Sequence, residues 1–274
     1  MWKKKTIEKE VVLTGVGVHT GKNVEVCLRP SFSGEIKFQM TDSGNLGFAV
    51  DAWHVESKNC TSLVHKNRRI HTVEHLMASL YALGIDSVVV QVKGGEVPIM
   101  DGSASCFVEA IQEAGVKELD EKKERRRVDR TLTVRDNEAF LSIYPGEDLR
   151  VSYTIEYGHP SIGKQELSLD VNPKSFRKEI APARTFGFLK DVPALRAQGL
   201  AMGGSLENTV VLDESRILNG PLRYPDEFVR HKILDLIGDL SLQRAWVQGH
   251  FQAYKAGHSL HLKAVRGLLG SAGE

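Results

Sequence analysis

The stretch Asp226-Glu-Phe-Val-Arg-His231-Lys-Ile-Leu-Asp235-Leu-Ile-Gly-Asp239-Leu-Ser-Leu242 reads as one strong helix. Val229, Ile233, Leu236, Ile237 and Leu240 form an apolar side. His231, Asp235 and Asp239, each four residues from the last, form a polar stripe within an arc of roughly 80°. A solvated stripe would usually be flanked by long Glu and Lys. Here Phe228, Leu234, Gly238 and Leu242 flank it, so the helix is expected to be buried on both sides.

Around this helix the pattern is strands first and helices late. Before it, short apolar or alternating runs predict strands at Leu132 to Val134, Ala139 to Ile143, Leu149 to Ile155 and Thr209 to Leu212, with a helix near Asn172 to Arg177. After it come a strand near Gly249 to Tyr254 and a closing helix beyond Gly257. The first half repeats the arrangement. Strand runs at Val11 to Leu13, Val24 to Leu28, Ile36 to Phe38 and Val88 to Val92 surround a helix from Thr72 to Leu83 that stops at Gly84, and a second helix spans about Cys106 to Ala114. Between the halves, Lys117 to Arg130 carries seven basic and five acidic residues, the signature of a solvated connector at a domain boundary. The fold expected is α+β, two units of similar make-up, although no sequence repeat is visible.

Composition agrees. A chain of 274 residues, 41% apolar and 26% charged, has enough material for a sizeable core and for two domains. Lys and Arg total 36 against 35 Asp and Glu, so no global field concentrates nucleic acid or an anionic membrane surface. A nucleic-acid module built on Arg125-Arg126-Arg127 is disfavoured by the interleaved acids. No run approaches the ~18 apolar residues of a membrane span, and the basic start Met1 to Lys5 is not followed by an apolar signal core. Three scattered cysteines, Cys27, Cys60 and Cys106, suggest free thiols in a reducing compartment, and the cytoplasm is the expected location.

Three clusters carry chemistry. His71-Thr-Val-Glu74-His75 puts two histidines four residues apart with a carboxylate beside the second, a spacing also found in inverted zinc-protease motifs. The His231/Asp235/Asp239 stripe is the second. The third is Gly257-His258, at the entrance to a helix. Two imidazoles and one carboxylate with an open fourth position make a catalytic zinc site, and His75, His231 and Asp235 can supply it. Cys60 can approach a metal only if its loop folds over. The segment Gly15-Val-Gly-Val-His-Thr-Gly21 lacks a nucleotide-loop context and reads as a turn, as does Pro98-Ile-Met-Asp-Gly-Ser103.

Thr14 to Gly21, Thr72-Val-Glu-His-Leu76, Pro98 to Ser103, Ala183-Arg-Thr-Phe-Gly-Phe188, Val229 to Asp235 with Ile237-Gly-Asp239, and Gly257-His258 occur in order along the chain. Together they resemble the UDP-3-O-acyl-N-acetylglucosamine deacetylases. The resemblance implies a zinc amidase that releases acetate from a UDP-linked, acylated glucosamine, the committed step of lipid A biosynthesis. It implies a β-α-α-β sandwich of two similar α+β domains, residues 1–122 and 123–274, each a mainly antiparallel sheet with a helix layer and one insert, packed helix to helix. The second insert, near 186–208, would form an acyl passage.

Carried over position by position, the resemblance gives His75, His231 and Asp235 as metal ligands, Glu74 as general base and His258 as second acid/base group. Asp239 would hold that imidazole, and Thr185 would donate to the oxyanion. Lys232 and Tyr157 would lie beside the substrate's polar and nucleotide parts, and Phe186, Phe188, Gly204 and Ser205 along the insert are further substrate contacts. Zinc is the expected cofactor, with iron(II) also suited to the donor set. A monomer with a UDP-sugar substrate, no nucleic acid and no stable membrane insertion is expected. The rival from the residues alone is a zinc peptidase using His71 and His75. His71 belongs to none of the family's motifs.

Overall fold

The computed structural model describes residues 2–43, 47–49, 53–57 and 59–270. Two sheets of identical connectivity organise it. The first runs Val11–Val16, Asn23–Pro30, Val88–Lys93, Ile36–Met40, Gly47–Ala49, and the second Leu132–Asp136, Ala139–Tyr144, Trp246–Tyr254, Leu149–Glu156, Lys164–Asp170. In each, the last strand in sequence enters the middle, antiparallel to the second strand and parallel to the third. The duplication invisible in the residues is therefore plain in the topology. Burial alternates along Leu149–Glu156, so one face of that sheet meets a core and the other does not.

Among the described residues, six α-helices complete the α+β architecture: α1 (Glu74–Leu83), α2 (Ser105–Glu113), α3 (Pro173–Ser175), α4 (Val192–Ala197), α5 (Glu227–Leu240) and α6 (His258–Gly270). Helices α1 and α5 precede the central strands of their respective sheets and pack against each other. They meet at Gly238, where a Cβ would overlap the Glu74 carbonyl oxygen. No other residue type allows this approach without displacing one helix. The packing mixes the two halves. Ala78, Tyr81 and Ala82 of α1 belong to the core under the second sheet, while Leu262 and Val265 of α6 belong to the core under the first.

Besides the pair formed by Lys3–Ile7 and Val116–Lys122, two smaller sheets stand outside the repeated ones. Strands His54–Ser57, Thr61–His65 and Arg68–Ile70 form a separate antiparallel sheet ahead of α1. In the second half, Phe186–Phe188 pairs in parallel with Val210–Leu212, with α4 between them and Pro193 in its first turn.

Three expectations need correction. Helix α1 begins at Glu74, not Thr72, because His71 bridges Glu96 as a strand residue and Thr72 has φ 58. A β-branched residue rarely takes that conformation, and here the Thr72 hydroxyl donates to the buried Glu96 carboxylate at 2.9 Å. The helix near Asn172 to Arg177 is a single capped turn that widens into a π turn over Phe176–Ile180. The charged connector is ordered: Val116–Lys122 pairs with Lys3–Ile7, and Arg125–Arg127 extends the second sheet beside Trp246. Its charges are those of edge strands, whose largely exposed side chains alternate with backbone bonds.

Candidate metal centre and active site

The α1/α5 crossing decides the site. His75 lies in the first turn of α1 and His231 and Asp235 lie one turn apart on α5, and all three are buried. Their ligand atoms lie within 4.8 Å of one another. Asp235 Oδ1 stands 3.4 Å from His231 Nε2 and 3.8 Å from His75 Nε2. Two of the three donors are oriented by a second bond. The second ring nitrogen of His231 donates to the Ala183 carbonyl at 3.1 Å, which leaves the lone pair on Nε2. Lys232 Nζ donates to Asp235 Oδ2 at 2.8 Å and leaves Oδ1 turned to the imidazoles.

The charge states fit as well. Burial pushes the His75 imidazole down to about 3 and lowers that of His231, so both are neutral ligands near neutral pH. Asp235 is ionised: burial opposes this, but the Lys232 ammonium first and then the His258 imidazolium hold its carboxyl far below the ordinary range. Buried imidazoles that converge on a carboxylate with no proton between them make a poor structural cluster and a good cation site. His75 Nδ1, buried and without a hydrogen-bond partner among the described residues, is the one unsatisfied polar atom of the set.

Glu74 and His258 line the same cavity. Burial lifts the Glu74 carboxyl to about 8, offset in part by His258, and its Oε2 accepts from the Thr61 backbone at 3.1 Å. His258 is the opposite case. Burial would lower it, but Asp239 and Asp235 raise it to about 9, and its Nδ1 lies 2.7 Å from Asp239 Oδ2. The site thus sets a carboxyl whose proton affinity is raised by burial and an imidazolium able to give a proton around one cavity.

The cavity has a volume of about 890 Å³ and is lined both by His75, His231 and Asp235 and by residues of the segment 185–211. Thr185, Lys232, Gly204 and Ser205 lie on its wall with the aromatic group Tyr157, Phe186 and Phe188, whose rings stand 5.8 and 5.9 Å from that of Tyr157. Thr185 is held by its backbone, donating to Gly102 O at 2.7 Å and accepting from Val210 N at 2.8 Å. Leu189, Val192, Leu195, Leu206 and Leu218 give the far end an apolar lining. The loop over it is tied to the first half: Met202 N and Gly203 N donate to His19 O and Val18 O at 3.1 and 3.0 Å. The two sequence turns thus have structural work, since Glu96 accepts from His19 N, Thr20 N and Thr20 Oγ1, and Asp101 pairs with Arg223 at 2.7 Å.

Some residues fall outside the metal group. His71 Nδ1 lies 3.0 Å from the Ser62 hydroxyl, and its strand conformation removes the one-face geometry that the H-x-x-E-H spacing assumed. Cys60 is buried, with its thiol pushed up to about 12 by that burial, and its Sγ contacts Ser62. Two participants escaped the sequence reading. The Thr61 hydroxyl donates to Asp239 Oδ1 and lies 3.2 Å from His258 Nδ1. His261 Nδ1 lies 2.8 Å from Asp239 Oδ2. Nothing in the sequence marks Thr61. His261, three residues after His258 on a helix, carried a readable signal.

A buried two-histidine, one-carboxylate set facing a large cleft, with an acid and a base beside it, has the donor arrangement of a metal-dependent hydrolase. The chain belongs to the UDP-3-O-acyl N-acetylglycosamine deacetylase (LpxC) family, whose model matches residues 4–270. A Myxococcus xanthus protein named UDP-3-O-acyl-N-acetylglucosamine deacetylase is 46% identical over 272 residues, covering 98% of this chain and 87% of the relative. Proteins of the same name from Syntrophotalea carbinolica and a Shewanella species are 42% and 44% identical, each over 97% of this chain and over 88% and 89% of their own lengths.

Proposed function

We propose that this protein hydrolyses the acetamide of UDP-3-O-acyl-N-acetylglucosamine, releasing acetate and the free amine, as a step of lipid A biosynthesis. The observation that carries the reading is the convergence of His75, His231 and Asp235 beside Glu74 and His258, in the wall of one large cavity with a largely apolar lining, in a chain of this family. Zinc suits two imidazoles and one carboxylate, and iron(II) suits them too. A divalent cation bound there polarises the acetamide carbonyl and acidifies water.

The chain's own groups do the rest. Glu74, in its ionised form, takes the proton from the attacking water, and burial raises its affinity for that proton. The Thr185 hydroxyl donates to the oxygen that gains charge, an interaction of a kind whose loss costs ~10²–10³ in turnover. His258, held cationic by Asp239, stabilises that charge and hands its Nε2 proton to the departing amine. Lys232 keeps Asp235 ionised and faces the substrate's polar end, while Tyr157, Phe186 and Phe188 offer aromatic surface next to the site. Gly204 and Ser205 border the acyl passage.

Acetate release from the UDP-sugar, with metal analysis of protein purified without added zinc, tests the reading. Glu74→Ala is expected to keep its cation and lose ~10²–10⁴ in turnover. Full activity in that variant overturns the proposed base.

A further inference from the structure

Asp239 serves more than one imidazole. Its carboxylate is completely buried; Oδ2 lies 2.7 Å from His258 Nδ1 and 2.8 Å from His261 Nδ1, while Oδ1 accepts from the Thr61 hydroxyl. His261 is equally buried and has its own anchor, since its Nε2 lies 2.9 Å from the Tyr153 hydroxyl. That hydroxyl also lies 2.7 Å from the Ala256 carbonyl, two residues before His258. The contacts close a ring: His258, Asp239, His261, Tyr153, the backbone at Ala256, and His258 again.

We propose that His261, backed by Tyr153, is a positioning residue that sets the plane of Asp239 and through it the direction of the His258 imidazole. The inference rests on the deacetylase reading for its catalytic consequence. A carboxylate that accepted only from His258 and Thr61 would be free to turn about its terminal torsion, which is broad. The second imidazole on the same oxygen removes that freedom. The Tyr153 bond fixes the start of α6 and the ring of His261 in one step, so helix and imidazoles cannot shift separately. Neither His261 nor Tyr153 lines the cavity, and their effect therefore passes through Asp239.

The cation-loaded protein tests this in two ways. In steady-state assays His261→Ala is expected to lose ~10- to 100-fold in kcat with KM and cation content nearly unchanged, as a misdirected acid/base group requires. His261→Asn, whose amide can donate to Oδ2 from the same helical position, is expected to recover most of that loss, and Tyr153→Phe to lose about 3- to 10-fold in kcat alone. A kcat within about twofold of the parent in His261→Ala, a loss that Asn does not restore, or a loss matched by loss of cation overturns the proposal. If His261→Ala does not fold, an unchanged kcat in Tyr153→Phe overturns it.

The second readout needs no substrate. The His258 Nδ1–H proton resonance reports the bond to Asp239. It is expected to move or broaden in His261→Ala, or in Tyr153→Phe, and to return in His261→Asn. An unmoved resonance overturns the positioning role even if the parent protein releases acetate, whereas a parent that releases none overturns the deacetylase reading alone.

Discussion

Buried carboxylates carry most of the consequences at the level of single residues. Asp239 accepts from three side chains, so Thr61→Val leaves one of its oxygens without that donor; a stability loss of about 1–3 kcal/mol is expected in denaturant titrations. Glu227 is a structural counterpart. It is fully buried and accepts from Arg184 N and Nε at 3.0 and 2.8 Å and from Arg223 N at 2.6 Å. Burial alone would raise its carboxyl; the Arg184 and Arg223 bonds outweigh this and hold it below its ordinary 4.5. Its contribution to stability is therefore complete above about pH 4.5 and is lost as pH falls through the lower folded value. The stability gap between the parent and Glu227→Gln, measured by denaturation, is expected to be constant from neutral pH to about 5 and to close in more acid solution. A gap that widens in acid contradicts the assignment. His71→Ala is expected to keep its cation on metal analysis, and loss of the ion would revive the peptidase arrangement.

Among the elements, the α1/α5 crossing matters most. Helix α1 contributes Glu74 and His75 from its first turn, and α5 contributes His231 and Asp235 from its middle. The two sets meet because Gly238 has no side chain to hold the Glu74 backbone away. Gly238→Ala is expected to push the helices apart, lower the unfolding temperature and lose bound cation, since overpacking a close contact costs about 1–3 kcal/mol and more where backbone must move. Retained cation with an unchanged melting curve would show that the crossing tolerates the methyl group. The same crossing explains why α1 starts where it does. Thr72 turns the chain out of its bridge with Glu96 through a left-handed conformation, and α1 then begins with Glu74 already against α5. Residue spacing within α1 carries no trace of that requirement.

For the molecule as a whole, a cation held as proposed by His75 of one repeated unit and His231 and Asp235 of the other would link them. Ligand binding to the folded state alone adds stability as RT ln(1 + [L]/Kd), about 2.7 kcal/mol at a hundredfold excess over Kd. A chelator is therefore expected to lower the unfolding temperature together with acetate release, and added zinc to restore both; an unfolding temperature indifferent to chelation would place the ion elsewhere. Much of this protein could be read from residues in order. The strand runs, the helix holding His231, Asp235 and Asp239, and the stop at Gly84 depend on neighbours at most four positions apart, two in a strand and three or four in a helix, and such local patterns survive in one dimension. The burial of α5 on both sides was legible for the same reason, from the apolar residues bordering its stripe. What folding alone could establish was which distant segments touch. Thr61 reaches Asp239 across 178 positions, His71 is withdrawn into a bridge with Glu96, and two sheets share a connectivity that their sequences do not display. Long-range packing and hydrogen bonding obey no period along the chain, so these contacts leave no pattern in the order of residues.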